Sequence, residues 1–301
     1  MLSIRDITKV YANHTALSGL SMEIEKGSIY GLLGPNGAGK TSLIRIINQI
    51  TAPDSGSIFF EGEPLQPKHI GAIGYLPEER GLYKKMEVGE QVLYLAQLKG
   101  LSRKEALTRA KNWFLQLEIQ DWWTKKVEDL SKGMQQKVQF IATVIHEPPF
   151  LILDEPFTGF DPINAEIIKQ EILNLNRKGT TILFSTHRLE NIEEFCTHLT
   201  LINQSKKILD GKTKDILNSY RSNTYKIDFI GNLDAIKNQI PHHFELKSFK
   251  TGAEYQEAEF KILDGGVNDL VSFLLPHIQI QGIRESIPSI QDIFIQKVSQ
   301  S

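Results

Sequence analysis

Gly34-Pro35-Asn36-Gly37-Ala38-Gly39-Lys40-Thr41 has the spacing G-x-x-x-x-G-K-[ST], and it lies between an apolar run and an amphipathic one. Glycines at these positions let backbone N–H groups turn inward as an anion nest, and the N-terminus of a following helix adds its positive dipole end. Lys40 is placed to reach terminal phosphates, Thr41 to offer a hydroxyl to Mg²⁺, and Ser42 to donate further to phosphate. Ser28 to Leu33 reads as a buried strand entering the loop and Ser42 to Ile47 as a helix leaving it. The stretch therefore predicts an α/β nucleotide-binding fold that grips a nucleoside triphosphate.

A second chemical element lies downstream. Phe150-Leu151-Ile152-Leu153 is a continuous apolar run of the kind a central parallel strand shows, and it delivers Asp154 and Glu155 at its carboxyl end. Adjacent carboxylates on a strand point to opposite sides, so Asp154 is assigned to Mg²⁺ and Glu155 to polarising an attacking water. Taken without the phosphate loop, both could be ordinary solvated strand-end residues.

Around these elements, Ser3 to Val10 alternates like an edge strand, and Ser21 to Glu25 does so again. Val88 to Leu117 turns helical, with a new helix starting after Ser102. Met134 to Ile145 and Ile163 to Arg177 read as helices, and Thr180 to Ser185 as a strand. The composition turns polar and turn-forming near Asn218, which predicts a nucleotide-binding domain over 1–216, a linker over 217–224 and a small α+β domain over 225–301. Its elements are strand Tyr225 to Ile230, helix Leu233 to Ile240, strands Phe244 to Phe249 and Tyr255 to Ile262, helix Val267 to Leu275 and strand Ile278 to Arg284. A short helix follows Pro288. That is the βαββαβ order of a ferredoxin-like domain.

The 301 residues carry 34 basic and 36 acidic side chains, so no global field argues for nucleic acid or a membrane surface. Cys196 is the only cysteine, which excludes an internal disulfide and fits a reducing cytosol. No stretch approaches the roughly 18 apolar residues of a membrane span, and Arg5 and Asp6 interrupt any signal-type core. Work at a membrane would need another chain to cross it.

Three further segments carry a specific resemblance. Leu130-Ser131-Lys132-Gly133-Met134-Gln135-Gln136 before a helix resembles the signature loop of ATP-binding cassette (ABC) ATPases. Gly159-Phe160-Asp161-Pro162 resembles their D-loop, and Ser185-Thr186-His187 is similar to their switch histidine. The order and spacing of all five elements match that family over about residues 1 to 216. The resemblance implies a P-loop NTPase of ABC type, with a mixed sheet core, an antiparallel β part and a helical subdomain.

It also implies roles. Ser131, Lys132, Gly133 and Met134 would complete the ATP site of a second ATP-binding domain, in a homodimer or heterodimer, and Asp161 would belong to the D-loop. His187 would sense the γ-phosphate, although a lone histidine at a strand end reads first as structural. Tyr11 would stack on adenine, although an isolated strand tyrosine reads first as packing. Catalysis would fall to Glu155, His187 and Lys40 with ATP and Mg²⁺. Two departures stand out: Glu78 occupies the position of the usual Q-loop glutamine, as a further metal or water ligand, and Lys132 and Met134 replace glycine and glutamine in the signature.

The run Leu76 to Tyr83 and the tail Pro288 to Phe294 resemble the separate ATPases of bacterial sodium- or drug-efflux-type systems. This implies a subunit peripheral on the cytoplasmic face of a membrane, powering an integral membrane permease, with the face from Gly81 to Tyr94 as the docking surface. Plain surface is the alternative there. Trp122-Trp123 could anchor a partner or pack internally. A soluble ABC ATPase of an assembly or regulatory system is the competing class. Ribosome-acting relatives carry two cassettes, and DNA-repair relatives carry a coiled coil or a Cys pair; neither feature occurs here.

Overall fold

A computed structural model describes residues 1–299 apart from 80, 191, 234–236, 253 and 254. The chain divides into two compact units, Met1–Thr213 and Lys214–Ser301.

The first unit opens with an antiparallel sheet of β1 (Leu2–Tyr11), β2 (His14–Ile24), β4 (Ser55–Phe60) and β5 (Glu63–Pro64), in the order β2-β1-β4-β5. A six-stranded sheet of β3 (Ile29–Leu33), β6 (Ile73–Leu76), β7 (Phe150–Asp154), β8 (Thr181–Thr186), β9 (His198–Asn203) and β10 (Lys206–Lys212) has the order β10-β9-β3-β8-β7-β6. All its neighbours pair in parallel except β9 and β10. Every residue of β3, β7 and β8 is buried, in keeping with the apolar runs of β3 and β7, and in β8 the polar Thr181, Ser185 and Thr186 are buried with them.

Helix α1 (Lys40–Ile47) is enclosed on both sides. Its Leu43, Ile44, Ile46 and Ile47 join one cluster with Leu2, Ile4 and Ile7 of the antiparallel sheet and with Leu32, Phe150 and Ile152 of the parallel one. Each such aliphatic or aromatic side chain contributes about 1.5–3 kcal/mol when fully buried. The loop before α1 is thus anchored to a helix buried between the two sheets.

Three helices, α2 (Val88–Leu98), α3 (Arg103–Gln116) and α4 (Lys132–Val144), build the helical part. Ser102 caps α3 as expected: its hydroxyl accepts from Glu105 N at 3.3 Å, and Glu105 Oε2 accepts from Ser102 N at 3.0 Å. Trp123 packs internally, with its ring 4.9 Å from that of Phe114 and so close to Gly89 that a Cβ there would fall 2.4 Å from the indole. Helix α5 (Pro162–Arg177) follows β7, and α6 (Thr213–Ser219) follows β10. No described helix is long and apolar enough to cross a membrane.

Three expectations need correction. The strand at Ser3 to Val10 is not an edge: β1 lies between β2 and β4. Alternation reports one buried face and says nothing of how many neighbours pair with the backbone. The second strand starts at His14 rather than Ser21, because Ser18-Gly19, with Gly19 at φ 62°, breaks the alternation across a register shift. The segment read as a linker begins inside α6, and the next strand begins at Thr224.

The second unit contains β11 (Thr224–Gly231), β12 (Phe244–Thr251), β13 (Gln256–Ile262), α7 (Val267–Leu274), β14 (Ile278–Glu285) and α8 (Ile290–Ser299). Its sheet has the order β12-β13-β11-β14 with every neighbouring pair antiparallel. Ile227, Phe229, Ala258, Phe260 and Ile262 pack with Leu270 and Leu274 of α7 in its own core. The helix expected over Leu233 to Ile240 falls partly on 234–236, outside the described residues; a 3-10 turn at Lys237–Gln239 is its described remainder. The order of the four strands and the position of α7 agree with the expected ferredoxin-like arrangement; its first helix falls partly outside the described residues.

Candidate nucleotide site

The loop from Gly34 to Gly39 is shaped by contacts that only glycine permits at its two ends. Gly34 has φ 149°, and a Cβ there would lie 2.1 Å from Ile202 O; Gly39 has φ 113°, and its Cβ would lie 2.2 Å from Ala16 O. Between them Ala38 N donates to Pro35 O at 3.2 Å, closing the turn. Gly39 is the N-cap of α1 with no side-chain cap, so the first N–H groups of the helix keep their donors for a ligand.

A cleft of about 390 Å³ is lined by Tyr11, Asn36, Gly37, Gly39, Lys40, Thr41, Ser42, Glu78, Asp154 and Glu155. His14 and Ala16 also line it. Tyr11 is 40% exposed, and Lys9 Nζ sits 5.3 Å from its ring centroid while bonded to Asp54 Oδ1 at 3.0 Å. The ring lines the cleft with part of its surface open to solvent.

Lys40 is buried, and its ammonium donates to Gly34 O at 2.7 Å and Pro35 O at 3.1 Å. Burial pushes its pKa below the ordinary value, and Glu155, Asp154 and Glu78 oppose that shift. Thr41 Oγ1 lies 3.4 Å from Asp154 Oδ2. Burial raises the pKa of Asp154, and the neighbouring Glu155 and Glu78 carboxylates add to the rise. A buried carboxylate under such pressure is relieved by a cation.

Among the described residues no group of three or more His, Cys, Asp or Glu could hold a metal by itself. The hydroxyl of Thr41 and the carboxylates of Asp154 and Glu78 form an incomplete hard-oxygen set. That fits Mg²⁺, which keeps waters and takes phosphate oxygens as its remaining ligands.

Glu155 has φ 50°, a left-handed conformation that is uncommon outside glycine. Its N–H donates to Ser185 O at 3.0 Å, which ties the turn after β7 to β8. Its side chain is fully engaged. Oε1 accepts from His187 N at 2.7 Å and meets His187 Nδ1 at 2.6 Å, while Oε2 accepts from Thr186 Oγ1 at 3.1 Å. His187 itself lies outside the cleft and reaches it only through Glu155.

The signature residues are also outside the cleft. Ser131 caps α4, accepting from Met134 N at 3.3 Å, and Lys132 is exposed beside it. Gly133 packs against the D-loop turn, where a Cβ would lie 3.3 Å from Gly159 O. Asp161 caps α5, accepting from Asn164 N at 3.0 Å. That backbone bond holds its carboxyl below the usual range.

Sequence reasoning missed Thr186, His14 and Gln139 as neighbours of the site. Thr186 stands beside a residue already singled out, but its carboxylate partner is 31 positions away. No local pattern reports that contact.

A strand–loop–helix phosphate cradle on a mixed sheet, with two carboxylates at the end of the neighbouring strand, defines a P-loop nucleotide-binding cassette. The ABC transporter family matches residues 17–158, and the family described as ATP-binding protein DrrA1-3-like, C-terminal domain, matches residues 211–298. The chain is 40% identical over 298 residues to YhaQ of Bacillus subtilis (strain 168), described as an uncharacterized ABC transporter ATP-binding protein, covering 99% of this chain and 98% of that one. It is 27% identical to the linearmycin resistance ATP-binding protein LnrL of the same organism, over 98% of this chain and 97% of that one. A solved structure of an ATP-binding subunit of an ABC transporter superposes with a TM-score of 0.68 at 29% identity, covering 73% of this chain and 93% of that one. This protein belongs to the ATP-binding proteins of the ABC transporter family.

Proposed function

We propose that the chain is the Mg²⁺-dependent ATP-hydrolysing subunit of an exporter, acting on a separately encoded membrane permease. The convergence of Lys40, Thr41, Asp154 and Glu155 on one cleft carries the proposal. Tyr11 stacks on the adenine of the substrate ATP. The ammonium of Lys40 turns from the carbonyls of its own loop to the terminal phosphates. Thr41 and Asp154, with Glu78, hold Mg²⁺, which neutralises charge on the polyphosphate when bound. Glu155 orients the attacking water and accepts its proton, with its carboxylate kept in place by Thr186 and His187.

Ser131, Lys132, Gly133 and Met134 face a second ATP-binding domain, whose ATP they complete. Their position outside this chain's own cleft supports that reading. ATP then joins two cassettes, and hydrolysis lets them part.

The permease side of the reading rests on a groove of about 530 Å³ lined by Leu82, Leu95 and Leu98, with Lys99 and Gln139. Tyr83 and Tyr94 stand exposed, with their rings 6.1 Å apart. An apolar groove with a few polar groups suits a short amphipathic helix. The subunit works on the cytoplasmic face of the membrane in this account, and the resistance function in the name of LnrL favours export.

The test is affinity purification of tagged Glu155→Gln protein with ATP and Mg²⁺ from detergent-solubilised membranes and, in parallel, from the soluble fraction. A multispan membrane protein in stoichiometric amount is the expected companion. Recovery of soluble assembly factors alone would replace the transporter reading with that of a soluble ATPase.

A further inference from the structure

Helix α4 carries a buried glutamine, Gln139, its eighth residue, where the turn after β6 packs against it. The turn 77–79 follows the last paired residue of β6, Leu76, and among the described residues it has no backbone–backbone hydrogen bond of its own. What holds it is the side-chain amide of Gln139. Nε2 donates to Pro77 O and to Glu79 O, each at 3.3 Å. Those two carbonyls flank Glu78, whose carboxylate lines the nucleotide cleft with Lys40 and Asp154.

Gln139 is only 4% exposed, and its Oε1 is buried without a hydrogen-bond partner. Burying an unpaired amide oxygen costs about 1–3 kcal/mol, whereas an apolar side chain of similar volume would carry no such cost. Packing therefore does not explain a glutamine here. The two N–H donors do, because both are used and both fall on one turn. Thr143, one turn further along α4, donates to Gln139 O at 2.8 Å, and its hydroxyl lies 3.4 Å from Tyr75 O, so the strand entering the turn packs on the same helix face.

The same residue belongs to a second surface. Gln139 lines the apolar groove with Leu82, Leu95 and Leu98. A side chain that wedges into that groove meets the amide that fixes the turn of Glu78.

We propose that Gln139 is the positioning residue of Glu78, and that it links the apolar groove to the nucleotide cleft. The inference rests on the reading of Glu78 as a metal or water ligand of the ATP site. One contact holds the peptide that enters Glu78 and the other holds the carbonyl of the residue after it, and together they limit the directions open to its carboxylate. Loss of the clamp lets the turn drift, and a displacement of about 1 Å at a catalytic constellation costs up to about a hundredfold in rate.

The experiment uses the purified full chain and reads steady-state ATP hydrolysis against ATP and against Mg²⁺ for Gln139→Met, Glu78→Ala and the double variant. Methionine keeps the length and removes both donors. The expected result for Gln139→Met is a fall in kcat of about tenfold, a KM for ATP within about twofold of wild type, and a higher Mg²⁺ concentration for half-maximal rate. In the Glu78→Ala background the same substitution should change kcat by less than about twofold, because its effect runs through the missing carboxylate.

Multiplicative losses in the double variant, or an unchanged kcat in Gln139→Met, overturn the proposal while leaving the reading of Glu78 intact. An unchanged kcat in Glu78→Ala removes the reading of Glu78 and the proposal with it. Gln139→Glu guards against a folding artefact. Its ionised carboxylate faces two carbonyl oxygens, so its kcat relative to wild type should rise as pH is lowered from 8 to 6 and a protonated acid regains one donor. A pH-independent ratio counts against the clamp.

Discussion

Glu155 and His187 are joined at two points by one carboxylate oxygen: Oε1 accepts from the backbone N–H of His187 at 2.7 Å and meets its ring Nδ1 at 2.6 Å. With Nδ1–H directed at the carboxylate, Nε2 of the neutral ring is an acceptor, and it can donate to a phosphate oxygen only when the ring gains a second proton. The pair ties the residue just after β8 to the residue just after β7.

Glu155→Gln should keep ATP binding and lower hydrolysis by about 10²–10³-fold, since the amide cannot accept the proton of water. Its Nε2 would also face the N–H of His187 unless the amide turns, which loosens the switch. Phosphate release and ATP-dependent dimer formation by light scattering measure the two effects. Hydrolysis at the wild-type rate would move the general base to another residue.

Gly39→Ala should abolish the rise in melting temperature that ATP confers. The added Cβ would lie 2.2 Å from Ala16 O and 2.9 Å from Leu17 Cδ2, at φ 113°. The loop must deform to accept it, at a cost of about 1–3 kcal/mol for the backbone conformation alone. Melting curves with and without ATP give the answer, and an undiminished ATP shift would mean that the cradle tolerates a different shape.

Ser131→Asp separates the two duties of the α4 N-cap. Aspartate caps about as well as serine, so stability should stay within about 0.5 kcal/mol, while Ser131→Ala loses about 1 kcal/mol. The negative charge of aspartate would repel the phosphates of a partner's ATP, so ATP-dependent dimerisation should fall more in Ser131→Asp than in Ser131→Ala. The opposite ranking would leave Ser131 as a cap alone.

Acid should weaken the first unit through His146, whose pKa burial pushes down to about 4, with the charge of Lys99 adding to the effect. The folded state then binds fewer protons than the unfolded state between pH 4 and 6.5, so stability is present above that window and is lost as pH falls through it. From pH 7.5 to pH 5 the loss is at most about 2 kcal/mol, and nearer to about 1 kcal/mol for a ring that keeps some solvent contact. Urea midpoints of wild type and His146→Gln at the two pH values test this, and equal slopes against pH would assign the acid sensitivity elsewhere.

The lessons of the sequence lie in its short-range patterns. The loop Gly34 to Thr41 announced a phosphate cradle because nest geometry, helix dipole and hydroxyl placement are all encoded within eight neighbouring residues. Apolar runs announced β3 and β7 because a strand covered on both faces is built mostly of apolar side chains. The cap at Ser102 and the strands and second helix of the second unit were legible for the same reason: period, cap and turn chemistry are local.

Tertiary structure alone placed β1 between two neighbours, because alternation marks a buried face and pairing partners are chosen by long-range closure. It alone brought Thr186 and His187 onto Glu155 across more than 30 residues, and Gln139 onto the carbonyls beside Glu78 across some 60. The sequence by itself determined which residues could bind a nucleotide. Which side chains hold those residues in their working directions was decided only by the packing of β6, β7, β8 and α4, since a hydrogen bond between distant segments leaves no periodic trace in either one.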